Sequence, residues 1–131
     1  MRLWVGTDGE GLNLLDRRNN TFARFIVKDN IPNGKPAKSI LSLCKDRDNT
    51  ILWIGTYGQG VYQFNTKTHK SKNIVLDHGE YRDRSNSVYT IIQDRNSRIW
   101  MGTNGGGVFC LEKKSGRVTN YNTNTTDPRY K

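Results

Sequence analysis

Two histidines, two cysteines and scattered carboxylates are the residues of this 131-residue chain whose types could do covalent or metal chemistry. Their spacing assembles no familiar site. His69 lies in the run TKTHK and His78 in DHGEYRDRSN, and neither stands near a serine or cysteine in a nucleophile motif such as G-x-S-x-G. Asp77, Glu80 and Asp83 crowd one polar segment, and nothing in the sequence sets the separation a glycosidase pair needs. Cys44 and Cys110 sit in apolar runs (SILSLCKD and GVFCLEK) without C-x-x-C spacing. They read as small hydrophobes, with no metal site and no disulfide expected. The runs Asp46-Arg47-Asp48-Asn49 and Asp94-Arg95-Asn96-Ser97 have the look of calcium ligands. A calcium loop needs further acidic ligands and a closing Glu, so both are expected to be turns. Neither a metal nor a cofactor is expected.

The elements that must position these residues repeat. Residues 3–15 read LWVGTDGEGLNLL, residues 52–64 LWIGTYGQGVYQF and residues 99–111 IWMGTNGGGVFCL. The anchoring tryptophans Trp4, Trp53 and Trp100 are 49 and 47 residues apart, a period that points to propeller blades. The second copy decodes into four short strands over residues 39–46, 52–57, 61–65 and 71–76, separated by Asp/Asn and Gly turns. The third decodes likewise over 87–94, 99–103, 107–112 and 117–122. The first lacks its innermost strand and predicts 3–7, 12–16 and 22–27. The expected fold is therefore all-β: three consecutive four-stranded antiparallel blades, the first incomplete, forming a partial β-propeller. The repeats span 1–28, 39–76 and 87–122, and a polar tail over 123–131 does not read as a replacement strand. Three blades are too few to close a ring, so the chain is expected to be part of something larger, or to self-associate through open blade edges.

Each repeated residue has a structural task. Trp4, Trp53 and Trp100 are expected to pack between neighbouring blades. Gly6, Gly55 and Gly102, inside a strand, imply close approach of another group. Gly9, Gly11, Gly58, Gly60, Gly105 and Gly107 supply positive φ for a tight turn. Thr7, Thr56 and Thr103 are expected to close that turn with a hydroxyl–backbone bond.

In such a blade, the turns between strands two and three share one end with the links between blades. Asp8, Glu10, Tyr57, Gln59 and Asn104 fall there, with the long polar connections 28–38 and 77–86. Function concentrates in loops of this kind on rigid scaffolds. Tyr57 and Tyr81 could stack on a sugar ring, and Lys35, Lys38, Arg82 and Arg84 could pair with sulfate or carboxylate. With Gln59 and Asn104 these form the candidate ligand-binding set. The excess of 21 Lys+Arg over 12 Asp+Glu gives a net charge of +9 and suits an acidic partner. The basic residues are scattered and no nucleic-acid-binding motif accompanies them, so nucleic acid is not expected. No run of 18 apolar residues and no N-terminal leader pattern occurs.

The thrice-repeated W-x-G-T-x-G-x-G, preceded in two copies by D-R, resembles the two-component regulator propeller repeat, across residues 3–122. The resemblance implies a non-enzymatic sensor module from the periplasmic part of a hybrid two-component regulator of the Bacteroides type. It also implies oligosaccharide signals, and a membrane reached only through the parent protein. In the family, many such repeats build two seven-bladed propellers, followed by an immunoglobulin-like domain, a membrane helix and a histidine kinase. Two other readings stand beside it. One is a structural or protein-interaction segment without a small ligand. The other is a propeller polysaccharide lyase or hydrolase, which would need His, Tyr and carboxylate converging on the loop end.

Overall fold

The computed structural model describes residues 2–80 and 82–122. Along them run β1 (Leu3–Gly6), β2 (Leu12–Asp16) and β3 (Thr21–Phe25), then β4 (Ile40–Lys45), β5 (Ile51–Thr56), β6 (Val61–Asn65) and β7 (Ser71–Ile74). A single helical turn, α1 (Arg82–Ser85), precedes β8 (Val88–Gln93), β9 (Ile99–Thr103), β10 (Val108–Leu111) and β11 (Val118–Tyr121). Each group is an antiparallel meander, in the orders β1-β2-β3, β4-β5-β6-β7 and β8-β9-β10-β11. The fold is thus all-β, a run of propeller blades in which the first has three strands. Several strands are a residue or two shorter than the sequence predicts, because the end residues take part in turns. The tail 123–131 lies outside the described residues. No helix among the described residues is long and apolar enough to cross a membrane.

Two apolar layers hold the three sheets together. Leu12, Val27, Ala37, Ile40, Leu52, Ile54, Tyr62 and Phe64 form one, with Trp4, Phe25 and Leu43 packed against it. This layer joins the first blade to the second. Trp53, Val61, Val88, Ile91, Ile99, Met101, Phe109 and Leu111 form the other, which joins the second blade to the third. The alternation of strand side chains explains the division. In β9, Ile99 and Met101 turn back to the second blade and are fully buried, while Trp100 between them turns away and is half-buried.

The tryptophans therefore follow one rule with different outcomes. Each faces the blade that comes after its own. Trp4 meets Phe64 of the second blade edge-on, ring centroids 5.5 Å apart. Trp53 is 1% exposed inside the second layer. Trp100 has no following blade among the described residues and leans on Tyr121 of its own sheet and on the Arg98 guanidinium. Packing between blades is thus found for Trp4 and Trp53, and not for Trp100.

The strand glycines divide in the same way. A Cβ on Gly55 would clash first with Ser42 Oγ of its own blade and then lie 2.7 Å from the Val88 carbonyl oxygen, so this glycine makes room both for Ser42 and for the third blade's inner strand. A Cβ on Gly6 would lie 2.5 Å from Ile40 Cγ2, again in the next blade. Gly102 is crowded by Thr90 of its own blade. Turn glycines answer to a different constraint: Gly58 has φ +76° and open space where a Cβ would go. Gly55→Ala should therefore destabilise the chain by about 2–3 kcal/mol through displacement of Ser42 and of the third blade's inner strand. Gly58→Ala should cost about 1 kcal/mol through backbone strain alone. Urea unfolding of both variants checks this; equal losses would mean that interblade contact is not what Gly55 provides.

Candidate functional site

The loop end of the blades is built from a turn that recurs three times. After β1, β5 and β9 the chain reverses through x-G-x-G, and the threonine before the turn closes it. Thr7, Thr56 and Thr103 donate their hydroxyls to the carbonyls of Gly11, Gly60 and Gly107 at 2.9, 2.7 and 2.7 Å. The same hydroxyls accept a backbone N–H from Glu10, Gln59 and Gly106. All six turn glycines have positive φ, as their spacing predicts.

Both connections are laced onto these turns. Lys38 O accepts the N–H groups of Gly9 and Gly11, each at 2.9 Å. Ser39 Oγ donates to the Asp8 carboxylate at 2.6 Å. Gln59 Nε2 donates to Pro36 O at 3.3 Å, and the Tyr62 hydroxyl donates to Lys35 O at 3.3 Å. Burial, and then the nearby Asp29 charge, push the Tyr62 phenol pKa up, so it stays a donor at neutral pH. In the second connection Gly58 N–H reaches Ser87 Oγ, Gly60 N–H reaches Asn86 O and Asn104 N–H reaches Ser87 O.

The sequence reads 77–86 as a loop throughout, whereas the structure winds α1 into it. The cause is Asn86, only 2% exposed. Its Oδ1 accepts Leu76 N–H at 2.7 Å, and its Nδ2 donates to Asp77 O at 2.6 Å and Arg82 O at 2.7 Å. One buried amide thus ties both ends of the segment, and a turn of helix is the shortest way to span them. Ser87 Oγ adds a bond to Asp83 O.

The predicted ligand residues fall at this end as follows. Tyr57 is 62% exposed at a turn tip. Lys35 and Lys38 are exposed on the first connection, Arg82 and Arg84 on α1, and Asn104 on the third turn. Arg84 lies against Gly105, beside Asn104. Gln59 is half-buried, its amide already engaged with the first connection. Tyr81 lies outside the described residues. A cleft of about 330 Å³ between the first blade and the first connection is lined by Lys38, Arg24, Phe25 and Ile26. Arg24 is paired there with Glu10 at 3.2 Å.

The acidic turns at the opposite end carry the feature that sequence reading missed. Asp46 Oδ1 accepts Asp48 N–H, as an Asp turn should, but Oδ2 accepts the Trp53 indole N–H at 2.8 Å. Lys113, from the third blade, donates to both oxygens at 3.0 Å. Asp94 repeats the arrangement: Asn96 and Arg98 N–H on Oδ1, the Trp100 indole and Arg98 Nε on Oδ2, both at 2.8 Å. Each carboxylate thus fastens the blade's first turn to its own tryptophan. The signal was present, since an Asp stands seven residues before Trp53 and six before Trp100. Another missed pair is Asn73 and Asn120, whose amides donate to Gln59 and Val61 carbonyls and to Gly106 and Val108 carbonyls. His69 proves to occupy a positive-φ turn position shared with Asn20 and Gly116, its ring 4.5 Å from Phe25. Cys44 and Cys110 are free thiols on β4 and β10, with pKa values raised by burial. Among the described residues no three His, Cys, Asp or Glu side chains gather as a metal site would require.

The carboxylates predict an acid response. The Trp100 indole bond holds Asp94 at about 2, against the opposing effect of burial and with help from Arg98. For Asp46, burial pushes the pKa up, and the bonds from Trp53, Asp48 and Lys113 outweigh it, so the net direction is down. A carboxyl group lower in the fold than in the unfolded chain stabilises above its ordinary value near 4, and loses that contribution as pH falls through its folded value. The melting-temperature gap between the parent chain and Asp94→Asn should therefore narrow as pH falls from ~5 to ~2. A gap unchanged across that range would mean that the charge on Asp94 is not what the indole and guanidinium hold.

Residues 34–58 and 83–105 match the family model described as two component regulator propeller. A protein of Formosa agariphila, histidine kinase P4, is 30% identical over 105 residues, covering 79% of this chain and 8% of that protein. The extracellular domain of a putative hybrid two component system from B. thetaiotaomicron superimposes with a TM-score of 0.76 at 19% identity, over 91% of this chain and 16% of that one. A second such domain from the same organism gives 0.73 at 18%, over 96% and 17%. At these identities the two structures speak for the fold. This chain spans under a tenth of the curated relative's length and about a sixth of each solved chain.

Proposed function

Because this chain carries two-component regulator propeller repeats, we propose that it is a run of blades from the sensor region of a hybrid two-component regulator, outside the cytoplasm. We further propose that its loop end contacts an oligosaccharide, most readily an acidic one. The observation that carries the reading is the loop end itself. Three turns and two laced connections place an exposed aromatic ring, Tyr57, at the same end of the blades as the exposed Lys35, Lys38, Arg84 and Asn104. A flat ring suits a sugar face, and exposed ammonium and guanidinium groups suit sulfate or uronate oxygens. The net charge of +9 favours the same ligands. The role proposed is binding without chemistry, with the response passed to the rest of the parent protein.

The test is an array of neutral, uronate-containing and sulfated oligosaccharides probed with the purified chain, followed by calorimetry on the hits. The reading expects retention of acidic sugars with half-saturation at or below about 1 mM. A Tyr57→Ala, Lys38→Ala double variant that folds normally should then bind about tenfold more weakly. No retained sugar, or binding untouched by the double variant, would overturn it.

A further observation favours an interaction role alongside sensing. The face of the third blade that corresponds to the buried side of the second carries Ile92, Val108 and Tyr121, 60%, 40% and 44% exposed, around Trp100. We propose that a further blade of a longer propeller covers this face, and that copies of the isolated chain cover it for one another. Light scattering on a sizing column should show mass rising with concentration. Ile92→Lys combined with Tyr121→Arg should return the chain to monomer. A monomer at all concentrations without these substitutions would sink this part.

A further inference from the structure

Two positions in and beside the first blade depart from the repeat, and both line one cleft. In the second and third blades the outer strand carries Asn73 and Asn120. Their amides fasten the glycine turn through the Gln59 and Val61 carbonyls and the Gly106 and Val108 carbonyls. The counterpart in the first blade is Arg24, in register with Asn13 as Asn73 is with Tyr62 and Asn120 with Phe109. Among the described residues its guanidinium makes no such bond and turns to the Glu10 carboxylate at 3.2 Å. The second departure lies in the link between blades. Asn86 gives its backbone carbonyl to Gly60 N–H and its buried amide to both ends of the second connection. In the first connection the same backbone role falls to Lys38, which accepts Gly9 and Gly11 N–H and keeps its side chain exposed.

Two long cations in place of two short amides leave room beside the first turn. A Cβ on Gly60 would run into Ile74 O and lie 3.1 Å from Asn86 Oδ1, and one on Gly107 would run into Tyr121 O. A Cβ on Gly11 would meet nothing nearer than Ala37 O at 3.4 Å. The space is the cleft of about 330 Å³ between the first blade and the first connection. Phe25, Ile26, Pro36 and Ala37 make its wall apolar, and the charged groups of its lining, Arg24 and Lys38, are both cationic. The fold gains little in return, since the Arg24–Glu10 pair is exposed on both sides. A local rule broken twice around one cleft without a compensating gain marks a site. The second turn adjoins it, with Gln59 Nε2 on Pro36 O and Tyr57 N–H on Ser39 O.

We propose that this cleft is the subsite for the acid group of an acidic sugar, taking one uronate residue with its carboxylate between Arg24 and Lys38 and its ring against the apolar wall. The proposal rests on the acidic-oligosaccharide reading and places its charge recognition at the first blade. Glu10 is the internal stand-in for the ligand: its carboxylate already sits on the Arg24 guanidinium, and so exposed a pair exchanges at little cost. The planar carboxylate matches the guanidinium fork. Ligand pockets span about 300–1,000 Å³, and a cleft at the small end of that range suits one ring with its acid group. The sugars that follow extend over the turn tips towards Tyr57.

Calorimetry on the purified chain with tetragalacturonate, and with its fully methyl-esterified form, tests the proposal. Arg24→Asn installs the residue that the other two blades carry, so this variant keeps the fold, which its melting curve checks. It should bind tetragalacturonate about tenfold more weakly than the parent chain, since a charge-assisted bond is lost. Glu10→Gln removes the internal competitor and should bind it about threefold more tightly. Equal binding of acid and ester by the parent chain, or equal binding of the acid by the parent chain and Arg24→Asn, would overturn the subsite. If Tyr57→Ala still weakened binding in that second case, the wider sugar reading would stand with its charge contacts elsewhere. Tetragalacturonate bound by neither the parent chain nor Glu10→Gln would also overturn the subsite, and the wider reading would fall with it if the array retained no other acidic sugar.

Discussion

A blade is a sheet too thin to keep either of its faces dry by itself, and everything else in this molecule follows from the need to cover them. Side chains alternate across each strand, so the apolar residues of one blade divide between the blade before and the blade after. Ile99, Met101, Phe109 and Leu111 go back to the second blade and lose nearly all contact with water. Trp100, Ile92 and Val108 face the other way and keep much of theirs. The same residue types at the same repeat positions thus have different energetic value, set by whether a neighbour stands opposite. This nearest-neighbour dependence is the physical character of repeat architectures.

Burying Trp53 between the second and third blades raises a second problem, because its indole N–H needs an acceptor where the ring is dry. The chain answers with the aspartate that ends the inner strand. One carboxyl group caps the turn through Oδ1 and takes the indole through Oδ2, which links local turn formation to packing against the next blade. Between the second and third blades Lys113 neutralises that carboxylate from across the interface. The contact costs the solvation of Asp46, and three kinds of donor offset the cost. Removing the carboxylate as Asp46→Ala would leave a buried indole donor unmet and an ammonium without its partner.

The two ends of the blades are built for different work. At one end the carboxylates of Asp46 and Asp94 are used up in turns, in indole bonds and in ion pairs with Lys113 and Arg98. At the other, backbone amides and carbonyls are spent on lacing the connections to the turns, which leaves the side chains of Tyr57, Lys38 and Arg84 projecting from a fixed frame. A frame whose main chain is satisfied internally would lose little entropy on meeting a partner.

The sequence alone determined the fold class, the number of blades and the missing inner strand. Those depend on local chemistry: positive-φ glycines, a closing threonine and strand-length apolar runs that recur at a fixed period. The same locality made the Thr7, Thr56 and Thr103 bonds legible before any coordinates. Only the tertiary structure decided which tryptophan is buried, that Asp46 and Asp94 serve the indoles, and that residues 82–85 form a helical turn around Asn86. Each of these depends on what lies opposite a side chain in space. Lys113 meets Asp46 across 67 residues of chain, and no spacing rule reaches that far. The shared placement of the loop-end residues was readable because strand alternation dictates it. The side chains there already committed, such as the Gln59 amide, became visible only once the connections had folded onto the turns.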